Sequence, residues 1–537
     1  EEHHDEDEDH DEEEDHDEEN LGYLANSDFA SESLKFGAST NGDWGFIGFS
    51  VASIESMYGI PFHGEEHEDE HGEEEEGEHD EHEGERIFSN TESDKFDVRG
   101  SFNIDSNLVS KVDFFIRDTD YSLTEQHAEE EEHEEEGHDE DEHEGHEEGP
   151  TTFTNDALEA GFIFDLSNDL MSQKFALNFV NEDTSVLGSE AFMNPASRDE
   201  LTFGYYISRD ISDYTLDFGV RIDRLANEGS ISAAHEEEEH HDEDEGHEEE
   251  EHDEHDEHEE METAFYDKSF NNTSLAFNIG RELNDFISVD LGFASVERAP
   301  SSIELFMNGA HLATGRFEVG NVNLQSETSN NVDLTVSIDN AGFFASATLF
   351  ANKVDNYIYL RDETEEEHED HDEEHEEDHD EHGGLILSNY LQQDADLDGY
   401  EIEFGNTMEL GSGELTMSFG RDAISGNFAN GGNIPRLNPA RNIFKLKYSK
   451  DDMTLGLNFK DVEKQNDIAV NETLTAGYQM LNAKLSRTID FGSQGELTLS
   501  LFGNNMLNEV ARNHSSFVKN EVPLPGRNYG LRFNLKL

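Results

Sequence analysis

The chain has 537 residues, no cysteine, and 132 Asp and Glu against 32 Lys and Arg, for a formal charge of −100. Without cysteine, disulfides and thiolate metal sites are excluded, so any metal must be held by His, Asp, Glu or backbone oxygen. A polyanion with no basic patch is repelled by nucleic acid, and no apolar stretch of about 18 residues is present to make a transmembrane helix; transmembrane strands stay open.

The chain opens at Glu1 inside a segment, 1–19, written only in Glu, Asp and His. With no initiator Met, basic n-region or apolar h-region there, it reads as a fragment whose beginning lies upstream. From 20 to 537 the composition changes to regularly spaced Phe, Tyr, Leu, Val and Ile, interrupted by four more acidic runs at 63–85, 125–148, 235–260 and 362–382. The five runs hold 77 of the 132 acids, leaving 55 acids against 32 bases elsewhere, a ratio compatible with an ordered fold.

Between the runs, segments of about ten residues alternate apolar and polar, the period of a strand. Trp44-Gly45-Phe46 through Tyr58-Gly59-Ile60-Pro61 precedes the second run, and Leu275, Phe277 and Ile279 follow the fourth. Asn284 to Asp285 reads as a short turn. A long polar connection then begins at Arg298-Ala299-Pro300-Ser301-Ser302-Ile303-Glu304-Leu305-Phe306 and runs through His311 and Arg316 to Asn321, followed by Leu324 and Glu327.

After the fifth run, Gly411 to Gly413 marks another short turn. Leu415, Met417 and Phe419 lead to Phe444, Leu446 and Tyr448, then to Met453, Leu455, Leu457 and Phe459, and to Leu497, Leu499 and Leu501. Gly503-Asn504-Asn505-Met506-Leu507-Asn508 and Pro523-Leu524-Pro525-Gly526-Arg527-Asn528 come before a last alternation, Tyr529 to Leu537. About nineteen candidate strands emerge, joined in turn by short turns and long loops. That pattern predicts an all-β, antiparallel transmembrane barrel, whereas a soluble sandwich would alternate equally well but lacks this asymmetry of connections. Counting back from the last strand, all five acidic runs fall on the long-loop side.

The runs hold 26 of the 28 histidines. An acidic coat needs no imidazole, but a surface that gathers zinc, nickel, cobalt or copper needs neutral imidazole nitrogen beside carboxylate oxygen; carboxylates alone prefer calcium and magnesium. The expected metal-gathering residues are His63, His67, His71, His79 and His82; His127, His133, His138, His143 and His146; His235, His240, His241, His247, His252, His255 and His258; and His368, His371, His375, His379 and His382. Spacings of three or four within the last two groups would align imidazoles on one face of a helix, but like-charge repulsion predicts disordered loops until cations screen them. His311 and His514 lie outside the runs. A loop hydrogen bond is the expected role for both, with a lumen-facing metal-ligand role for His311 as a second expectation.

The segment from Arg298 to Asn321, with the stretches at Trp44–Pro61, Gly503–Asn508 and Pro523–Asn528, resembles the TonB-dependent outer-membrane receptors. Within that family the His-rich acidic loops look like those of zinc-uptake receptors similar to the neisserial zinc receptor. The resemblance implies a 22-stranded barrel in the outer membrane of a Gram-negative bacterium, in contact with outer-membrane lipid. It also implies an N-terminal plug inside the barrel and a segment engaging the TonB-ExbB-ExbD complex. With about 19 strands counted, the plug and about three strands are expected upstream of Glu1. The implied function is import of a divalent transition metal, zinc first, without a catalytic cofactor. Two rivals remain: a receptor for a siderophore, haem or other metal chelate, and a metal-buffering surface protein without transport. No nucleophile, base and orienting group recur at a spacing that suggests an enzyme.

Overall fold

The computed structural model describes residues 23–61, 86–106, 108–127, 149–188, 191–233, 262–364 and 384–536. The first ten strands are β1 (Phe29–Gly42), β2 (Gly45–Gly59), β3 (Ile87–Asn103), β4 (Lys111–His127), β5 (Thr151–Asp165), β6 (Ser172–Leu187), β7 (Ala196–Ile211), β8 (Tyr214–Ala233), β9 (Glu262–Asn284) and β10 (Ile287–Arg298). A helical turn, α1 (Ser302–Phe306), and a small hairpin, β11 (Asn308–His311) with β12 (Arg316–Val319), come next. The remaining strands are β13 (Glu327–Asn340), β14 (Phe343–Asp362), β15 (Ile386–Leu410), β16 (Gly413–Phe428), β17 (Arg441–Lys450), β18 (Met453–Val462), β19 (Tyr478–Asp490), β20 (Glu496–Asn504) and β21 (Asn528–Lys536).

All belong to one sheet of 21 strands. Setting aside the four-residue β11 and β12 leaves 19 long staves, each antiparallel to the next, with β10 passing directly to β13. The alternation read from the sequence is therefore realised as strands. Its cause is visible where Phe404, Phe419, Phe444 and Phe459 fall opposite one another across β15 to β18, with ring centroids 5.3, 4.8 and 6.0 Å apart. Such cross-strand aromatic pairs stabilise a sheet, and the exposure of Phe404 and Phe444 suits a lipid-facing surface. No helix among the described residues is long and apolar enough to cross a membrane.

At one rim the staves are joined by two to seven residues, as at Ala341–Gly342, where both residues have positive φ as a two-residue hairpin of the favoured twist requires. The opposite rim carries every longer connection, from eight to 28 residues. Gly411 lies at the short rim. The strand ends that flank the acidic runs, namely Phe29, Gly59 and Ile87, His127 and Thr151, Ala233 and Glu262, and Asp362 and Ile386, all lie at the long rim.

The packed apolar core also sits at the long rim. Leu305 and Phe306 of α1 are fully buried against Val186, Phe192, Met193, Ala196, Met307, Leu324 and Ile358. Each fully buried side chain of this size contributes about 1.5–3 kcal/mol relative to exposure, which fastens the β10–β13 connection to the wall.

Candidate functional site

That connection, 299–326, forms a shelf. Ser301 caps α1, accepting from the Glu304 backbone at 3.2 Å while Glu304 Oε2 accepts from the Ser301 backbone at 2.7 Å. Glu304 is held in turn by Arg298 at 2.9 and 3.1 Å, and Asn227 of β8 donates to the Pro300 carbonyl at 3.1 Å. Beyond the helix, Asn308 donates to Phe192 and Ser232 carbonyls. β12 pairs in parallel with the first residues of β15, Arg316 with Ile386 through Val319 with Asn389. The shelf thus reaches from the β6–β8 wall to the strand that follows the fifth run.

Three long connections meet the paired ends of β14 and β15 at its far end. Arg316 donates to Asp362 at 3.0 and 2.8 Å, Ser388 adds a hydrogen bond to Asp362 at 2.8 Å, and Arg436 lies 3.4 Å from the same carboxylate. The ring of Phe517 is faced by both guanidiniums, Arg316 at 4.5 Å and Arg436 at 3.8 Å from its centroid. Asp362 and the Phe517 ring, with Glu472 and Glu318 also acting on Arg436, therefore offset two cations, Arg316 buried and Arg436 largely so. Burial holds the Arg436 guanidinium below its usual pKa range.

Beside this node, the connection 505–527 docks on 463–477. His514 is buried, with Nδ1 2.8 Å from Thr475 Oγ1 and 3.4 Å from Lys519 Nζ, while Lys519 donates to the Thr473 carbonyl at 2.7 Å. Its Nε2 has no hydrogen-bond partner and lies 3.9 Å from Glu472 Oε1. Burial, and then the Lys519 cation, push the His514 imidazole below its ordinary pKa, with Arg436 acting in the same direction and Glu472 opposing. Burial likewise depresses Lys519.

His311, the other histidine outside the runs, closes the β11–β12 hairpin opposite Arg316. Its Nδ1 is 2.9 Å from Glu318 Oε1, which also accepts from Thr314 Oγ1 at 3.1 Å. Both histidines therefore make the hydrogen bonds expected of them. The expected metal-gathering histidines of 63–85, 133–146, 235–260 and 368–382 lie outside the described residues; His127 is placed as the last residue of β4. Among the described residues, no three His, Asp or Glu side chains converge as a metal cage.

Two boundaries shift from those read in the sequence. Glu125 to His127, assigned to the third run, continue β4, with Glu125 opposite Thr151. Asp362, counted as the first acid of the fifth run, is a buried ion-pair partner at the end of β14. The node of Arg316, Asp362, Arg436 and Phe517 was not anticipated, because its members are separated by up to 201 positions and share no local pattern.

The profile of the family described as TonB dependent receptor-like, beta-barrel, matches residues 16–506. The chain belongs to the TonB-dependent receptor family. Its members are outer-membrane receptors and transporters of Gram-negative bacteria, driven through TonB. Among solved structures, the copper transporter OprC superimposes with a TM-score of 0.68 at 13% identity, covering 95% of this chain and 72% of that one. The FrpB iron transporter of Neisseria meningitidis gives 0.61 at 13% identity, covering 94% and 71%. The Serratia marcescens hemophore receptor HasR, solved with its hemophore and heme, gives 0.63 at 11% identity, with the same coverage. At such identities the likeness shows the fold and leaves the cargo to be argued from this chain.

Proposed function

We propose that this receptor imports a divalent transition metal ion, with zinc as the cargo best matched to its donor set. The observation that carries this reading is joint: 26 of 28 histidines are confined to five acidic runs, and the strand ends flanking all five lie at one rim. In outer-membrane barrels the short turns face the periplasm and the longer loops the exterior, so the runs would meet incoming metal together. Carboxylates raise the local cation concentration, and imidazoles discriminate for borderline metals over calcium and magnesium. His311 would receive the ion at the shelf, and TonB would drive its passage. The test is radiozinc uptake at limiting zinc by cells carrying the complete receptor, with TonB present or absent. Loss of uptake with either protein is expected; unchanged uptake without the receptor would overturn the reading.

One observation favours a second cargo. On the face of β17–β19 opposite the Phe444 and Phe459 rings stand Lys445, Lys447, Lys460 and Lys484, of which Lys445 reaches Glu403 at 4.0 Å. A basic inner wall suits an anionic metal chelate, with the runs as a solvated coat. Competition of uptake by a ferric siderophore, and not by free zinc, would move the assignment there.

A further inference from the structure

We infer that Glu318 is a positioning residue that fixes His311 as a donor to a partly hydrated borderline divalent cation, with Nε2 as the metal-facing atom. The inference rests on the metal-import reading and deepens it. Glu318 is 5% exposed in its side chain and lies 2.9 Å from His311 Nδ1, while His311 retains 30% exposure. A carboxylate without a proton can only accept, so whenever the ring is neutral its Nδ1 proton faces Glu318 and the lone pair resides on Nε2. A carboxylate behind an imidazole is the arrangement that fixes ring orientation and raises donor strength at metal sites. Two further contacts restrict the pair: the single Thr314 hydroxyl proton is shared between the His311 carbonyl at 2.9 Å and Glu318 Oε1 at 3.1 Å, and the Phe192 ring lies 4.8 Å from the imidazole.

His514 provides the contrast. Its Nδ1 lies 2.8 Å from the Thr475 hydroxyl and 3.4 Å from the Lys519 ammonium, which can only donate; that argues for a proton on Nε2, and the surrounding Lys519 and Arg436 repel a cation. With the protons so placed, the two imidazoles hold opposite tautomers, and His311, 30% exposed against 1% for His514, is the one open to an incoming ion. Since no other His, Asp or Glu pair converges with it among the described residues, water completes the coordination shell. A single imidazole binds weakly and releases quickly, as a station between capture and passage must.

The experiment uses the full-length receptor labelled with ¹⁵N-histidine, and takes the wild-type spectrum minus that of His311→Gln to isolate one ring. The difference spectrum is expected to show a protonated Nδ1 and an unprotonated Nε2, with zinc shifting the Nε2 signal. Glu318→Ala is expected to mix the tautomers and to raise the zinc needed for that shift about tenfold, with Glu318→Asp restoring most of the response. Glu318→Gln, which keeps the side-chain volume, serves if the alanine variant fails to fold, and is expected to weaken the zinc response in the same direction. A protonated Nε2 in the wild type, or a ring whose tautomer and zinc response ignore position 318, overturns the inference. Radiozinc uptake by receptor-positive and receptor-negative cells reads the import proposal separately, so failure of the one is distinguishable from failure of the other.

Discussion

Arg316 and Asp362, 46 residues apart in the chain, meet in a two-point ion pair of 3.0 and 2.8 Å at the root of the fifth acidic run. Both side chains are buried, so their worth lies in the pair. Asp362→Asn would leave Arg316 and Arg436 facing each other across Phe517, and removal of one partner from a buried pair costs about 3–5 kcal/mol. Faster protease cleavage within 299–326 and 505–527 is expected, with the barrel itself intact. Arg316→Lys should not rescue the contact, because a point-charge ammonium cannot reproduce the two-point geometry.

The docking of 505–527 on 463–477 should depend on pH. His514 in the docked state is held below the ordinary imidazole pKa of about 6.5 by burial first and Lys519 second, so the undocked state takes up protons more readily. Docking is therefore strongest above about pH 6.5 and weakens as the pH falls from there through the docked value. Hydrogen exchange of 505–527 should accelerate over that window. His514→Asn should flatten the dependence, and Lys519→Met should move its midpoint upward; an unaltered profile in both variants would contradict the account.

Gly320 marks a close approach that no side chain tolerates. A Cβ there would lie 2.8 Å from the Leu305 carbonyl carbon and from the backbone nitrogens of Phe306 and Met307, none of which can swing aside. Gly320→Ala should separate β12 from α1 and destabilise the shelf by about 1–3 kcal/mol, an overpacking cost. The check is the temperature at which 299–326 becomes protease-sensitive, which should drop while far-UV strand signal persists.

The barrel was legible in the sequence because a strand records its environment at every second residue. Met453 to Phe459 and Leu497 to Leu501 alternate cleanly and occupy β18 and β20, and the number of alternations matches the nineteen staves. The sidedness of the runs was legible for the same reason, since parity along an antiparallel sheet fixes which rim each connection joins. The shelf was not. Asp362 reads as one more solvated acid, yet Arg316 and Arg436 come to it from two distant connections and Ser388 from the strand paired with its own. Phe517 has no periodic neighbours, and its two cationic partners arrive only when the barrel brings the loops together. His311 and His514 carry identical side chains, and their different surroundings, a Glu318 carboxylate beside one and a Thr475 hydroxyl beside the other, come from the loops that fold around them.

The selectivity of the runs is expected to lie with imidazole. A peptide covering His235 to Glu260 should bind zinc in excess calcium by calorimetry, and replacing its seven histidines with Asn or Gln should abolish that preference while leaving general cation attraction. Undiminished zinc affinity after replacement would assign the work to carboxylates.

The central claim, that the five runs gather metal for a barrel that imports it, is tested most directly by uptake kinetics of the complete receptor with and without them. Deleting one run should change little, because four others still concentrate the ion. Deleting all five is expected to raise the zinc concentration for half-maximal uptake while TonB-dependent transport at high zinc continues, since the shelf and its His311 remain. Unchanged uptake at limiting zinc after that deletion would contradict the account, and if altering the Arg298 to Asn321 shelf then abolished uptake of an iron chelate, the chelate-receptor reading would take its place.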